Sequence, residues 1–249
     1  MSASTDPRPH PRPTLPGAPT AASHGLLAVA VAGLALAALS DLFSLFTEVR
    51  LRSVIDGDGG FAMAPQQELD AAASLYDTAA WFQAVVYLPC AIVFIVWFFQ
   101  MRRKTGPLAP DRFRRGPGWA IGAWLVPLAN FWMPYRIAFD MWGAATSLPA
   151  DGERYRARVW PVNLWWGLFV SSMLLNSYAG RNDAAAKTLT EIEEGVVLYM
   201  AADVLHILAA AAAVHFAVQL TSMQRLKAVE GPFRTAAAKD ESAAKNELV

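Results

Sequence analysis

Four apolar runs of roughly 20 residues constrain this chain more than any other feature of its sequence. They cover residues 26–46, 79–99, 160–178 and 196–220. A helix of about 20 residues rises through roughly 30 Å, the thickness of a bilayer's hydrocarbon core. In hydrocarbon a backbone amide has no water to bond, so such a run takes the form that satisfies its own amides, a helix. The charged fraction agrees: 17% of residues are charged against 55% apolar, where soluble domains carry about 25% charged residues. The sequence therefore predicts an all-α fold, a polytopic helical membrane bundle, and excludes most soluble enzyme classes.

Lys plus Arg and Asp plus Glu number 21 each, so the basic surface that nucleic acid requires is not expected. Residues 1–24 hold Pro7, Pro9, Pro11, Pro13, Pro16 and Pro19 among Ser, Thr and Ala. That composition buries no core and reads as a disordered, extended tail open to a proline-binding protein partner. Residues 227–249 read as a second disordered tail, which leaves 25–226 for the transmembrane domain. Ala38-Leu39-Ser40 resembles a signal-cleavage site, but the apolar run continues to Phe46, so the first span is expected to stay as an anchor. Pro65 suits the first turn of a helix leading into the second span, and Pro89 predicts a kink within it. Thr190 and Glu193 have the spacing of a capping box before the last span. The single cysteine, Cys90, leaves no disulfide within the chain and no Cys-based metal site.

Residues 118–145 are apolar but broken by Pro127 and Pro134. Each half is about ten residues, roughly 15 Å as helix, which reaches mid-bilayer and no further. Loop charges orient the chain. Residues 102–115 hold six basic side chains against Asp111 alone, which makes that loop cytoplasmic by the positive-inside rule. Residues 47–78, with six acidic and two basic side chains, and 179–195, with four and two, read as external. Arg154, Arg156, Arg158, Arg225 and Lys227 fall on the inside. These assignments agree only if 118–145 enters and leaves on the cytoplasmic side. The expected architecture is four transmembrane helices plus a Pro-broken re-entrant or interfacial helical hairpin, in the plasma membrane with N and C termini cytoplasmic. The competing reading is a proline-kinked fifth span.

The broken segment carries a pattern of its own: Pro117-Gly118-Trp119-Ala120-Ile121-Gly122-Ala123-Trp124, then Pro127, Asn130, Trp132 and Pro134, then Asp140 and Trp142. It resembles the domain of unknown function 4328 family, found mainly in actinobacterial membrane proteins. Trp165-Trp166 and Leu220-Thr221-Ser222-Met223-Gln224 are similar to later blocks of that family, so the resemblance covers about residues 26–226. It implies a multi-pass membrane protein with a Pro-rich cytoplasmic leader and assigns no catalytic residue.

A charge in hydrocarbon costs about 2.5–3.5 kcal/mol on insertion scales, so each one is a candidate functional residue. Asp41 lies near the outer end of the first span and Asp203 a similar distance into the last, with His206 three positions on and on the same helix face. Two carboxylates and an imidazole suit a proton or cation relay, because close carboxylates compete for a proton and histidine titrates near neutrality. The plainer reading is a structural hydrogen bond between helices. Arg136 and Asp140, four apart, predict a helical ion pair. Asn130, between Pro127 and Pro134, marks a broken turn of the kind in which discontinuous transporter helices hold ions; alternatively its amide only bonds the turn's own backbone. His215 is expected to pack away from this cluster. All nine tryptophans lie between Trp81 and Trp166, mostly as expected interfacial belts. Gly167 with Ser171, and residues 209–213, offer small faces for close helix packing or dimerisation. Asp56-Gly57-Asp58 lacks the remaining ligands of a calcium loop and reads as a turn.

Zincin, P-loop, nucleophile-elbow and dinucleotide-binding patterns are absent from the sequence. Enzymatic activity, a metal and a cofactor are therefore not expected. Two functions compete. One is a non-enzymatic interaction, scaffold or envelope-signalling protein. The other is a small-solute or ion transporter or channel that uses the broken segment with Asp41, Asp203 and His206. The expected partners are the lipid bilayer, further copies of the chain in a homo-oligomer, and a protein at the Pro-rich tail.

Overall fold

Six α-helices carry most of residues 21–56, 64–146 and 158–230, which a computed structural model describes. They are α1 (Ala21–Ile55), α2 (Gln66–Thr105), α3 (Trp119–Leu125), α4 (Met133–Ala145), α5 (Trp160–Ala185) and α6 (Leu189–Glu230). No strand occurs among the described residues. Most of the Pro-rich leader, most of the C-terminal tail, Asp58, Arg154 and Arg156 lie outside them.

Three helices, α1, α2 and α6, are long and apolar enough to cross a membrane, where the sequence predicts four. Helix α5 has the length, 26 residues, but Asn163, Ser171, Ser172, Asn176 and Ser177 dilute its hydropathy. The helices also outrun the apolar runs. At 40 and 42 residues, α2 and α6 are each about 60 Å long, twice the hydrocarbon thickness. Residues 47–55 and 66–78, read from their charge as one external loop, are therefore helix. Once an apolar run has nucleated a helix, each added residue gains a hydrogen bond at little cost. Good helix formers such as Glu48, Leu51, Glu68 and Ala71 extend it beyond the run. Helix α2 starts directly after Pro65 and is continuous through Pro89. Helix α6 is capped two residues earlier than the sequence predicts: Thr188 Oγ1 accepts from the Glu191 amide at 3.3 Å and the Glu191 carboxylate accepts from the Thr188 amide at 3.0 Å. The capping box is thus Thr188–Glu191, not Thr190–Glu193.

Helix α6 packs along α1 and α5, α2 packs along α1, and α2 also touches α6. The broken segment forms α3, a 3-10 turn at Ala129–Phe131 and α4, wedged against α2, α5 and α6. Pro127 lies in the gap, while Pro134 opens α4 within its first turn, where its missing amide hydrogen is harmless. The core here is aromatic. Phe216 stacks on Trp165 at 4.8 Å between centroids and 4° between planes, meets Trp97 edge-on at 6.1 Å and lies 6.0 Å from Trp142. Trp97, Trp142, Trp165 and Trp166 are buried, so an interfacial belt accounts for fewer tryptophans than the sequence suggests. The small faces divide as well. Ala209, Ala210, Ala212 and Ala213 are buried, whereas a Cβ on Gly167 would meet nothing within 4 Å. The close approach is at Gly33 instead, where a Cβ would lie 3.7 Å from the Cys90 sulfur across the α1–α2 interface.

Candidate functional site

Three helices converge on a buried polar cluster near the middle of their lengths. From α1 come Asp41, Ser44 and Glu48, at helical spacings of three and four that put them on one stripe. Helix α2 supplies Gln83 and Tyr87, four apart, and α6 supplies Asp203 and His206, three apart. Asp41, Ser44, Glu48 and Asp203 are all buried.

Asp41 is the hub. Its Oδ1 accepts from the Gln83 amide at 2.8 Å and from the Tyr87 hydroxyl, and its Oδ2 lies 2.7 Å from His206 Nδ1. A carboxylate only accepts, so in the ionised hub Nδ1 is the protonated ring nitrogen. The Gln83 amide also reaches Asp203 Oδ1 at 3.1 Å, and Tyr87 Oη stands 2.9 Å from the same His206 nitrogen. Asp203, Gln83, Asp41, Tyr87 and His206 thus form a continuous hydrogen-bonded chain across α6, α2 and α1. Two oxygens in this cluster, Glu48 Oε2 and Asp203 Oδ2, are buried without a hydrogen-bond partner. Ser44 stands beside both of their carboxyl groups. The donors lie in a chain and not around a centre, and no grouping of three or more His, Cys, Asp and Glu among the described residues has metal-holding geometry.

The structure brings Asp41, Asp203 and His206 together, as their depth in the spans suggests. Gln83, Tyr87, Ser44 and Glu48 were missed. Glu48 counted as a loop charge, and Gln83 with Tyr87 sat unremarked in an apolar run; their four-residue spacing was the available signal. His215 packs on the Trp160 ring at 5.2 Å, away from the cluster.

The broken segment holds no comparable chain. Among the described residues Asn130 makes no side-chain hydrogen bond; its Oδ1 is buried and unpartnered, and the backbone amide of Asn130 bonds the Val126 carbonyl at 2.9 Å. The amide side chain therefore does not satisfy the turn's backbone. Arg136 and Asp140 do not form the expected ion pair: the described ion pairs within 4.0 Å are Arg52–Asp56 and His206–Asp41. Asp140 instead shares its surroundings with Arg136, Arg112, Arg102 and Arg114, and burial pushes its carboxyl up against their combined pull.

Several motif residues have structural work. Trp124 meets Phe94, Phe98 and Trp166 edge-on, and the Trp142 ring nitrogen donates to the Arg158 carbonyl at 3.1 Å. Gly122 lies under the Trp119 ring, with Pro117 and Gly118 in the turn that starts α3. Trp119 and Trp132 are exposed. The closing block docks on the end of α2, with the Gln224 amide on Thr105 Oγ1 and the Thr221 hydroxyl on the Met101 sulfur.

Compared with known proteins, the chain matches the family model described as a domain of unknown function (DUF4328) over residues 62–222. The match starts after α1, so Gln83, Tyr87, Asp203 and His206 fall inside it and Asp41 and Glu48 outside. No curated protein and no solved structure matches the chain.

Proposed function

The chain belongs to the DUF4328 family, and from that premise we propose that it is a proton-binding transport protein of the plasma membrane. Four helices cross the bilayer, α5 with α1, α2 and α6, and both termini are cytoplasmic. The segment holding α3 and α4 returns to the cytoplasmic side, and the protein carries out no covalent chemistry. Gln83 and Arg102 lie about 28 Å apart along α2, close to a hydrocarbon thickness, which suits a polar cluster at one face and a basic end at the other. The bundle is thin, so transport is expected from a homo-oligomer.

One observation carries the reading: two buried carboxyl oxygens have no partner, Asp203 Oδ2 at the end of a hydrogen-bonded chain that links three helices and Glu48 Oε2 beside it. A fold that only needed to tie helices together would satisfy both, because an orphaned buried acceptor costs about 1–3 kcal/mol. An exchangeable proton satisfies either oxygen; Asp41, Tyr87 and His206 supply the neighbouring proton-exchanging groups, while the Gln83 amide, which donates to both aspartates, holds them together. The test is decay of an imposed pH gradient in vesicles containing the purified protein, followed with an internal pH-sensitive dye. Wild-type protein should speed the decay, and Asp203→Asn and Glu48→Gln should abolish that acceleration at unchanged thermal stability. Decay no faster than in protein-free vesicles, with both variants only less stable, would leave the cluster as a structural tie and return the protein to the interaction or scaffold class.

A further inference from the structure

At the C-terminal end of α2, a cavity of about 490 Å³ opens between the end of that helix, the turns after it and α4. Five arginines line it, Arg102, Arg112, Arg114, Arg115 and Arg136, against Asp111 and Asp140. Among the described residues none of these guanidiniums comes within 4.0 Å of a carboxylate. Neutral partners hold two of them. Arg102 is buried, donates to the Arg115 carbonyl at 3.0 Å and lies 3.6 Å over the Phe113 ring. Arg115 sits 4.5 Å over the Trp119 ring. Arg112 crosses Gly143, where any Cβ would collide with its guanidinium.

Guanidiniums gathered in one cleft with no carboxylate within bonding distance are a receptor for an anion from outside, and their planar fork fits phosphate oxygens two at a time. The volume falls among those of small-molecule sites, about 300–1,000 Å³, and exceeds what a bare ion needs. Trp119 and Trp132, both exposed, stand in the same lining; such rings settle at the headgroup level of a bilayer. Basic pockets between helices at the cytoplasmic face take lipid headgroups by the same physics. We propose that this cleft binds a phosphate-bearing anion the size of a phospholipid headgroup. The lipid itself and a soluble phosphate ester are the two sources of that chemistry. The proposal does not depend on proton binding in the Asp41–Asp203 cluster.

Native mass spectrometry of the full chain in neutral maltoside micelles tests it, with phosphatidylglycerol, phosphatidylcholine of the same acyl chains, and glycerol 3-phosphate as probes. Phosphatidylglycerol is expected to bind as one saturable equivalent, at least tenfold more tightly than phosphatidylcholine. Glycerol 3-phosphate binding without phosphatidylglycerol binding would assign the site to a soluble ester instead. The double variant Arg112→Gln with Arg136→Gln should weaken binding at least tenfold, while Arg52→Gln, remote from the cleft, should not. Gly143→Ala displaces Arg112 without changing net charge and should weaken binding severalfold, which keeps the test decisive if the double variant does not fold. Equal retention of the two lipids with no glycerol 3-phosphate bound overturns the proposal, as does wild-type affinity in the folded double variant.

Discussion

Replacing Asp41 by Ala separates a hub that stabilises the bundle from a buried charge that burdens it. Asp41 accepts three hydrogen bonds, from Gln83, Tyr87 and His206, and these join α1 to α2 and α6. Bonds between membrane helices average about 0.6 kcal/mol and reach about 1.7, so three are worth about 2–5 kcal/mol. At about 2–4 °C per kcal/mol for a chain of this length, the unfolding midpoint should fall by about 4–20 °C. The protein carries its own probe. Cys90, the one cysteine, is buried where α1 and α2 approach at Gly33, so it reacts with a thiol dye only as these helices separate. A temperature ramp with a maleimide that fluoresces on reaction reads the midpoint directly. Asp41→Asn keeps the volume and one acceptor oxygen and should lose less than half as much. A midpoint for Asp41→Ala at or above wild type would refute the reasoning. The desolvation of the carboxylate would then outweigh its three bonds, and the cluster would not be organised around Asp41.

Two further outcomes follow from packing and topology. Phe216→Ala empties the space between Trp97, Trp142 and Trp165 and should cost about 3–5 kcal/mol, seen as a large drop in the same Cys90 transition; a drop of only a degree or two would show that those rings close over the gap. With Cys90 changed to Ala and single cysteines at Ser53, Ser147 or Ser242, a membrane-impermeant thiol reagent on intact cells should label only the first. Labelling at Ser147 as well would make residues 118–145 a fifth crossing and place the arginine cleft at a different face.

Periodicity and charge within one helix were legible; partnership between helices was not. The stripe of Asp203 and His206 could be read from a three-residue spacing, because helical geometry alone places such neighbours. That Gln83 would bridge Asp41 and Asp203 depends on which faces of α1, α2 and α6 meet, and no spacing encodes that. The supposed Arg136–Asp140 pair fails for a related reason. Spacing permits the bond, but Arg112, Arg102 and Arg114, brought in by the turns after α2, share the field around Asp140. The tryptophans mislead in the same way, since interfacial and core rings look alike until Phe216 arrives from the far end of the chain.

What the sequence alone determined is the all-helical secondary structure and the apolar runs long enough to cross a membrane. Long apolar runs leave a backbone in hydrocarbon only the helix, and two prolines break the segment between them. Tertiary structure decided where the helices stop and what they hold. Helices α1, α2 and α6 run past their apolar runs because propagation is cheap once a turn has formed. Residues more than a hundred positions apart, Gln83 and Asp203 among them, become hydrogen-bond partners because buried polar groups must find partners within reach, and packing alone sets which groups those are.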